Sequence, residues 1–280
     1  MARQIEDEVE YYYDSHPTEE DVMGETADHA LLVNYLMAVL TWLFHGQLCA
    51  IYENLNFYQT PNKNERPIAP DIAVIQGAAF RRVKSWRIGV YGPAPQVVFE
   101  IGSEETWAND LEEKVWKYAR MGVEEYYAYD PNDPMLSLSR RKGQRLFGWQ
   151  RDAATGLMHP LSLDAHGQLW SPRLDSSLVA DEQYLRLYDS RGDVRLTREQ
   201  AEARRADAEA EARRTEQLRA EREAEARRME QLRAEREAKR AEAEHQRAET
   251  ERQKAEAEAR KAQIYAERLR SLGIDPDQIL

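Results

Sequence analysis

PQVVFEIGSEET, residues 95–106, is an apolar run of β-branched and aromatic side chains broken by one acid, Glu100. Near-continuous apolar character over Gln96–Ile101 marks a strand covered on both faces. IAPDIAVI, residues 68–75, has the same character around its Pro70-Asp71 pair and predicts a second such strand. Downstream, NDLEEKVWKYARMGVEEYY (109–127) changes period. Leu111, Val115, Tyr118 and Ala119 share one helical stripe, and Gly122 stands where a helix closes on a left-handed residue. The pattern predicts a helix from Thr106 to Met121, then a strand over Glu125–Tyr129 ended by the turn DPNDP (130–134).

Upstream, Gly24-Glu25-Thr26 opens an amphipathic helix through about His45, with Thr26 as cap and Glu25 near the positive end of the dipole. A strand follows around Ala50–Gln59, and TPNKNERP (60–67) is loop. Gly77–Pro95 is polar, aromatic and proline-bounded, and reads as an irregular loop. Shorter strands and turns run on to about Tyr188. Helix, strands, helix, strand is the order of an α/β sandwich.

The last third is different in kind. RRTEQLRAEREAEA (213–226) nearly recurs as RRMEQLRAEREAKR (227–240), a repeat of two heptads. Alanine, Glu and Arg dominate without Gly or Pro, which predicts one long helix over residues 197–272. Glu209–Arg213, Glu223–Arg227 and Glu235–Lys239 are spaced for ion pairs one turn apart. Leu218, Met229 and Leu232 keep a heptad phase, but Arg222 and Arg236 occupy the other seam positions, so a weak coiled coil and a lone charged helix both fit. The chain thus divides into an acidic arm (1–22), a globular domain (23–194) and a charged long helix or coiled coil (195–280).

Charge follows the same division. Residues 195–280 carry 21 Lys/Arg against 21 Asp/Glu, so the formal charge of −12 lies in residues 1–194. Nine Asp/Glu against Arg3 alone fall within residues 1–25. That sign is wrong for a non-specific nucleic-acid binder, which relies on excess Lys/Arg. Basic clusters at Arg81, Arg82, Lys84 and Arg87, and at Arg140, Arg141, Lys142 and Arg145, permit nucleic-acid contact without requiring it. Cys49 is the only cysteine, which excludes an intramolecular disulfide and a Cys-based zinc site. MARQIEDEVE lacks a signal-peptide pattern, and the apolar stretch Leu31–Phe44 is short and holds Asn34 and Thr41. A cytoplasmic protein without a membrane span is expected.

Asp71, Glu100 and Lys114 carry the chemistry. Two carboxylates delivered from adjacent strand ends can hold a hard divalent cation such as Mg2+ or Mn2+. An ammonium on the following helix can orient water and offset phosphoryl charge. Those are the parts of a metal-dependent phosphodiesterase. Each has an ordinary alternative: Asp110 precedes Lys114 by four residues, and an exposed pair of that kind is worth roughly 0.3–0.5 kcal/mol. Glu100 is harder to explain away, because an acid inside VVFEI is costly to bury without a cation or strong partner. Asp110, Lys114 and Tyr118 also share a helix face.

IAPDIAVI, PQVVFEIGSEET and DLEEKVWKYARMGVEEYYAYDP together resemble the Uma-type restriction endonucleases, a bacterial group in the PD-(D/E)XK nuclease superfamily, over residues 22–190. The charged tail ending in Leu272–Pro276 is similar to tails on members. The resemblance implies a restriction-endonuclease-like core, a mixed sheet flanked by helices, with the long helix after it. It implies Asp71 and Glu100 as metal ligands, Lys114 as the catalytic lysine, and a nucleic-acid substrate, DNA above all; Tyr118, on the helix face of Lys114, is expected to support that lysine. In the E-x-K form the lysine would follow Glu100 by two residues, where Gly102 stands; Lys114 matches a lysine placed on the next helix. Ser103 matches a serine common after that strand. Glu104-Glu105 depart from the pattern, replacing a proline and a small residue and adding negative charge beside the site. Glu25 or His29 on the first helix could supply a further ligand. The alternative to an active endonuclease is an inactive nuclease-like scaffold that acts through its tail, and residues 195–272 are the part that would pair into a homodimer or meet a partner protein.

Overall fold

Alternate side chains of the apolar runs enter two different cores in the computed structural model of the chain, which describes residues 11–16, 27–104, 106–181 and 184–273. The chain divides into two compact units, Met1–Arg204 and Arg205–Leu280. In the first, a short helical turn α1 (Tyr12–Ser15) and helix α2 (Ala27–Leu43) precede strands β1 (Cys49–Glu53), β2 (Asn56–Tyr58), β3 (Ile72–Gln76), β4 (Ser85–Arg87) and β5 (Val97–Ile101). Helices α3 (Trp107–Leu111) and α4 (Glu113–Met121), strand β6 (Glu125–Tyr129) and helix α5 (Ser137–Lys142) come next. Strands β7 (Leu146–Arg151), β8 (Met158–Pro160), β9 (Gln168–Ser171), β10 (Ser176–Asp181) and β11 (Tyr184–Tyr188) follow, and the last element is helix α6 (Arg198–Ser271).

A six-stranded mixed sheet runs β1-β3-β5-β6-β7-β8, with β11-β10-β9 and β2-β4 as smaller sheets. In the large sheet β5 and β6 are parallel and the other pairs antiparallel. One core takes Ile72, Val74, Val97, Phe99, Ile101, Tyr127 and Tyr129 against α2 and the β11-β10-β9 sheet. The opposite face takes Ala73, Ile75, Val98, Tyr126 and Ala128 against Trp107, Val115, Tyr118 and Met121 of the two middle helices. Period-two alternation sends Glu100 to this second face. The double covering predicted from the apolar runs is therefore present, and the mixed α/β core with a long C-terminal helix matches the expected fold class.

Several boundaries differ from the sequence expectation. The strand expected over Ala50–Gln59 is two, β1 and β2, parted at Asn54, whose φ of 46° turns the chain. The expected loop Gly77–Pro95 contains β4, which pairs in parallel with β2; a three-residue strand has too little periodicity to be read. The helix expected over Thr106–Met121 breaks at Glu112, with φ −125° and ψ −71°. There the Asp110 carbonyl accepts the Tyr126 hydroxyl at 2.8 Å, so a tertiary bond attends the break. Helix α5 was not expected at all. Within the arm, Tyr11 is buried against Tyr58, and the Tyr58 hydroxyl donates to Asp14 at 3.0 Å. The remainder of the arm, Glu25 and Thr26 lie outside the described residues.

Helix α6 has 74 residues, about 110 Å at 1.5 Å per residue, and buries none of them. Glu209–Arg213 pairs at 3.6 Å, whereas Glu223–Arg227 and Glu235–Lys239 form no ion pair among the described residues. Exposed pairs gain too little over side-chain entropy to be held uniformly. Among the described residues no helix is long and apolar enough to cross a membrane.

Candidate active site

The register of the central strands builds the site. β3 pairs antiparallel with β5 as Ile72↔Phe99 and Ala73↔Val98, so Asp71, one residue before β3, continues that register opposite Glu100. Asn54 N–H holds the Asp71 carbonyl at 3.2 Å. The Asp71 side chain accepts the Ile101 N–H at 2.6 Å and meets His29 Nε2 at 3.3 Å, and both contacts converge on Oδ2. His29 thus reaches Asp71 from α2.

Glu100 is 2% exposed, deep for a carboxyl group. Its Oε2 lies 2.9 Å from Lys114 Nζ, and its Oε1 accepts the Tyr118 hydroxyl. Lys114 Nζ also lies 2.9 Å from Asp110 Oδ1. Asp110 is fully buried, so the pair is not the exposed one that was the ordinary alternative for Lys114. Its Oδ2 accepts the Thr106 hydroxyl at 3.0 Å, and Ser103 Oγ lies 3.0 Å from the same hydroxyl. The structure brings Asp71, Glu100, Lys114 and Tyr118 to one place and adds Asp110, Thr106 and Ser103 to it. Spacing alone hid Asp110, because an acid four residues before a lysine is an ordinary surface pattern.

Gly102 explains the displaced lysine. A Cβ on Gly102 would come within 2.6 Å of the Trp107 ring, so no side chain fits there. Trp107 occupies the space that an E-x-K lysine would need, and the ammonium arrives from α4.

Electrostatics follow from burial and from an excess of acids. Burial pushes the Glu100 carboxyl up to about 8; Lys114 pulls it down, while Asp71 and Asp110 push it further up. Burial likewise raises Asp110, again opposed by Lys114. For Lys114 burial works against the ammonium, but Glu100 and Asp110 outweigh it and hold the group protonated above its ordinary value. Tyr118 is raised well above the usual phenol range by burial and by Glu100, so it remains a donor. Two carboxyl groups contact one ammonium, and Asp71 adds its charge to both of them.

Among the described residues no three His, Cys, Asp or Glu side chains form a metal shell. Magnesium does not require one: it is held by one or two carboxylates and completes its octahedron with water and substrate phosphate. Asp71 and Glu100 fit that two-carboxylate pattern.

A sequence model of the family Uma2, described as "Putative restriction endonuclease", matches residues 3–175. The chain belongs to this family. The Uma2 match extends further toward the N-terminus than the motifs alone suggest and ends before β10. No curated protein matches the chain. A solved crystal structure described as a putative nuclease of DUF820 from Anabaena variabilis ATCC 29413 shares 13% identity, with 54% of this chain and 76% of that chain covered. Its TM-score of 0.38 is too low to bear on the Uma2 site described above.

Proposed function

We propose that this protein is a Mg2+-dependent endonuclease that hydrolyses DNA phosphodiester bonds, with Mn2+ as a substitute. The observation that carries the reading is the buried Glu100–Lys114–Asp110 cluster opposite Asp71, an arrangement with more carboxylate than its one ammonium offsets. Asp71 and Glu100 would hold the ion. A divalent cation there would supply Lewis-acid stabilisation of charge on the phosphoryl oxygens.

The protein's own residues have separable roles. Lys114 orients the attacking water and offsets negative charge in the transition state. Asp110, anchored by Thr106, is the second carboxyl partner of the ammonium and would hold it in place with an ion bound. Tyr118 fixes the Glu100 carboxyl through Oε1. His29 and the Ile101 N–H orient Asp71 through Oδ2. Residues 195–272 are the part we assign to assembly, with a second copy or a partner protein, and the working compartment is the cytoplasm.

Plasmid cleavage tests the reading. Wild type with Mg2+ should nick DNA, and Asp71→Ala should abolish this while its circular dichroism stays native. Undiminished cleavage by that variant would remove Asp71 from the mechanism. A folded wild type that binds no Mg2+ by calorimetry would favour the inactive-scaffold alternative. Light scattering before and after truncation near residue 195 measures whether the tail sets the oligomeric state.

A further inference from the structure

The outer side of α3 carries a feature that hydrolysis itself does not use. A cleft of about 400 Å3 lies between the start of α3 and the segment Pro134–Arg141, walled by Trp107, Ala108 and Met135 and rimmed by Glu104, Arg140 and Arg141. Its inner wall is fixed. Trp107 is 2% exposed, its indole Nε1 donates to Ser139 Oγ at 3.0 Å, and its ring meets Phe147 edge-on at 5.7 Å. Arg140 and Arg141 are exposed, and neither is ion-paired among the described residues.

The cleft adjoins the catalytic cluster. Glu104 follows Glu100 by four residues, and Thr106, between Glu104 and Trp107, is the residue that hydrogen-bonds Asp110. A strand of nucleic acid with its scissile phosphate at Glu100 and Lys114 would have the Glu104–Ala108 side of the cleft next to it along the chain.

We infer that the cleft is a subsite for one unpaired DNA nucleotide flanking the scissile phosphate; the inference rests on the nuclease reading above. Size, charge and chemistry agree on that occupant. The volume lies at the low end of the ~300–1,000 Å3 typical of small-ligand sites, enough for a single nucleotide and too little for a duplex. Two exposed guanidiniums on a chain of net charge −12 are a local reversal of sign that suits a phosphate. The apolar wall of Ala108, Met135 and Leu138 suits a base, whose face gains from apolar contact in any sequence. Glu104 repels phosphate, so the phosphate lies on the Arg140–Arg141 side. The Glu104 carboxylate then accepts from a base carrying an exocyclic amino group, which adenine, cytosine and guanine have and thymine lacks.

Fluorescence anisotropy in EDTA, with labelled single-stranded octamers of deoxyadenylate and deoxythymidylate, tests the assignment. Wild type should prefer the adenine octamer. R140A/R141A should bind it at least tenfold more weakly, with the slope of log affinity against log salt shallower by about 0.7 for each guanidinium removed. A108W fills the cleft without changing charge, and should lower affinity while keeping the slope. Both variants should hydrolyse bis(p-nitrophenyl) phosphate with Mg2+ at the wild-type rate, since that diester has no flanking nucleotide. Wild-type affinity and slope in R140A/R141A would overturn the subsite while leaving the nuclease reading intact. Tighter binding of an RNA octamer than its DNA counterpart would overturn the DNA assignment. A wild type that hydrolyses neither diester nor plasmid overturns the nuclease reading, and the subsite with it.

Discussion

Replacing Glu100 by Gln should make the protein more stable and unable to use metal, and the two effects should separate with pH. Burial and the neighbouring acids raise this carboxyl from an ordinary 4.5 to about 8. A raised carboxyl pKa means that the folded state favours the protonated form. The fold therefore carries no penalty below about pH 4.5, an increasing one between 4.5 and 8, and a constant one above. At about 1.4 kcal/mol per unit, burying Glu100 costs about 3 kcal/mol at pH 7, where it keeps its proton, and about 5 kcal/mol above pH 8, where it ionises. Gln is nearly isosteric with the protonated acid and does not titrate. Urea unfolding from pH 4.5 to 9 in EDTA should show the variant gaining on wild type through that window and matching it at the acid end. Adding Mg2+ should narrow the gap and nearly close it at pH 7, because an ion at 100 times its dissociation constant stabilises wild type by about 2.7 kcal/mol and should leave the variant unmoved. A stability difference that stays flat with pH would refute the burial cost assigned to Glu100. Equal stabilisation of both proteins by Mg2+ would remove Glu100 from the metal set.

Other substitutions probe the surrounding architecture. Lys114→Met leaves Glu100 and Asp110 buried without their ammonium and should cost about 3–5 kcal/mol in urea unfolding at pH 7, as well as cleavage. Unchanged stability would mean that Lys114 does not bridge the two acids. Gly102→Lys restores the E-x-K spacing, yet it should neither fold as wild type nor rescue Lys114→Met, because its Cβ meets the Trp107 ring; recovered cleavage in the double variant would contradict this. At the other end of β6, Glu125 is 1% exposed and accepts from Ser171 Oγ, the Tyr127 hydroxyl and the Arg173 N–H. Glu125→Leu strands those donors and should cost about 3 kcal/mol while diester hydrolysis at 25 °C persists. Loss of hydrolysis in a variant still folded would place Glu125 in the chemistry.

The apolar runs at 68–75 and 95–101 were legible because strands covered on both faces leave no polar alternation to confuse with a surface strand. Gly122 was legible for a local reason: its φ of 91° is one that other residues rarely adopt. β4 and α5, of three and six residues, were not legible, since partners distant in sequence hold them. Trp86 of β4 is buried against Tyr52 and donates its indole N–H to the Pro93 carbonyl. Nor was Glu125, whose donors Ser171 and Arg173 lie more than 40 residues away.

By itself the sequence determined that Glu100 needs a strong partner, because an acid among the four apolar residues of VVFEI has no water to turn to. It also determined that a lysine and a tyrosine stand at helical spacing on the next element. Which groups meet was decided only by tertiary structure. Strand register sets Asp71 opposite Glu100, the break at Glu112 accompanies Asp110 into the interior, and Trp107 over Gly102 closes the nearer lysine position. Those are contacts between elements, and spacing along a chain cannot encode how far one element rotates against another.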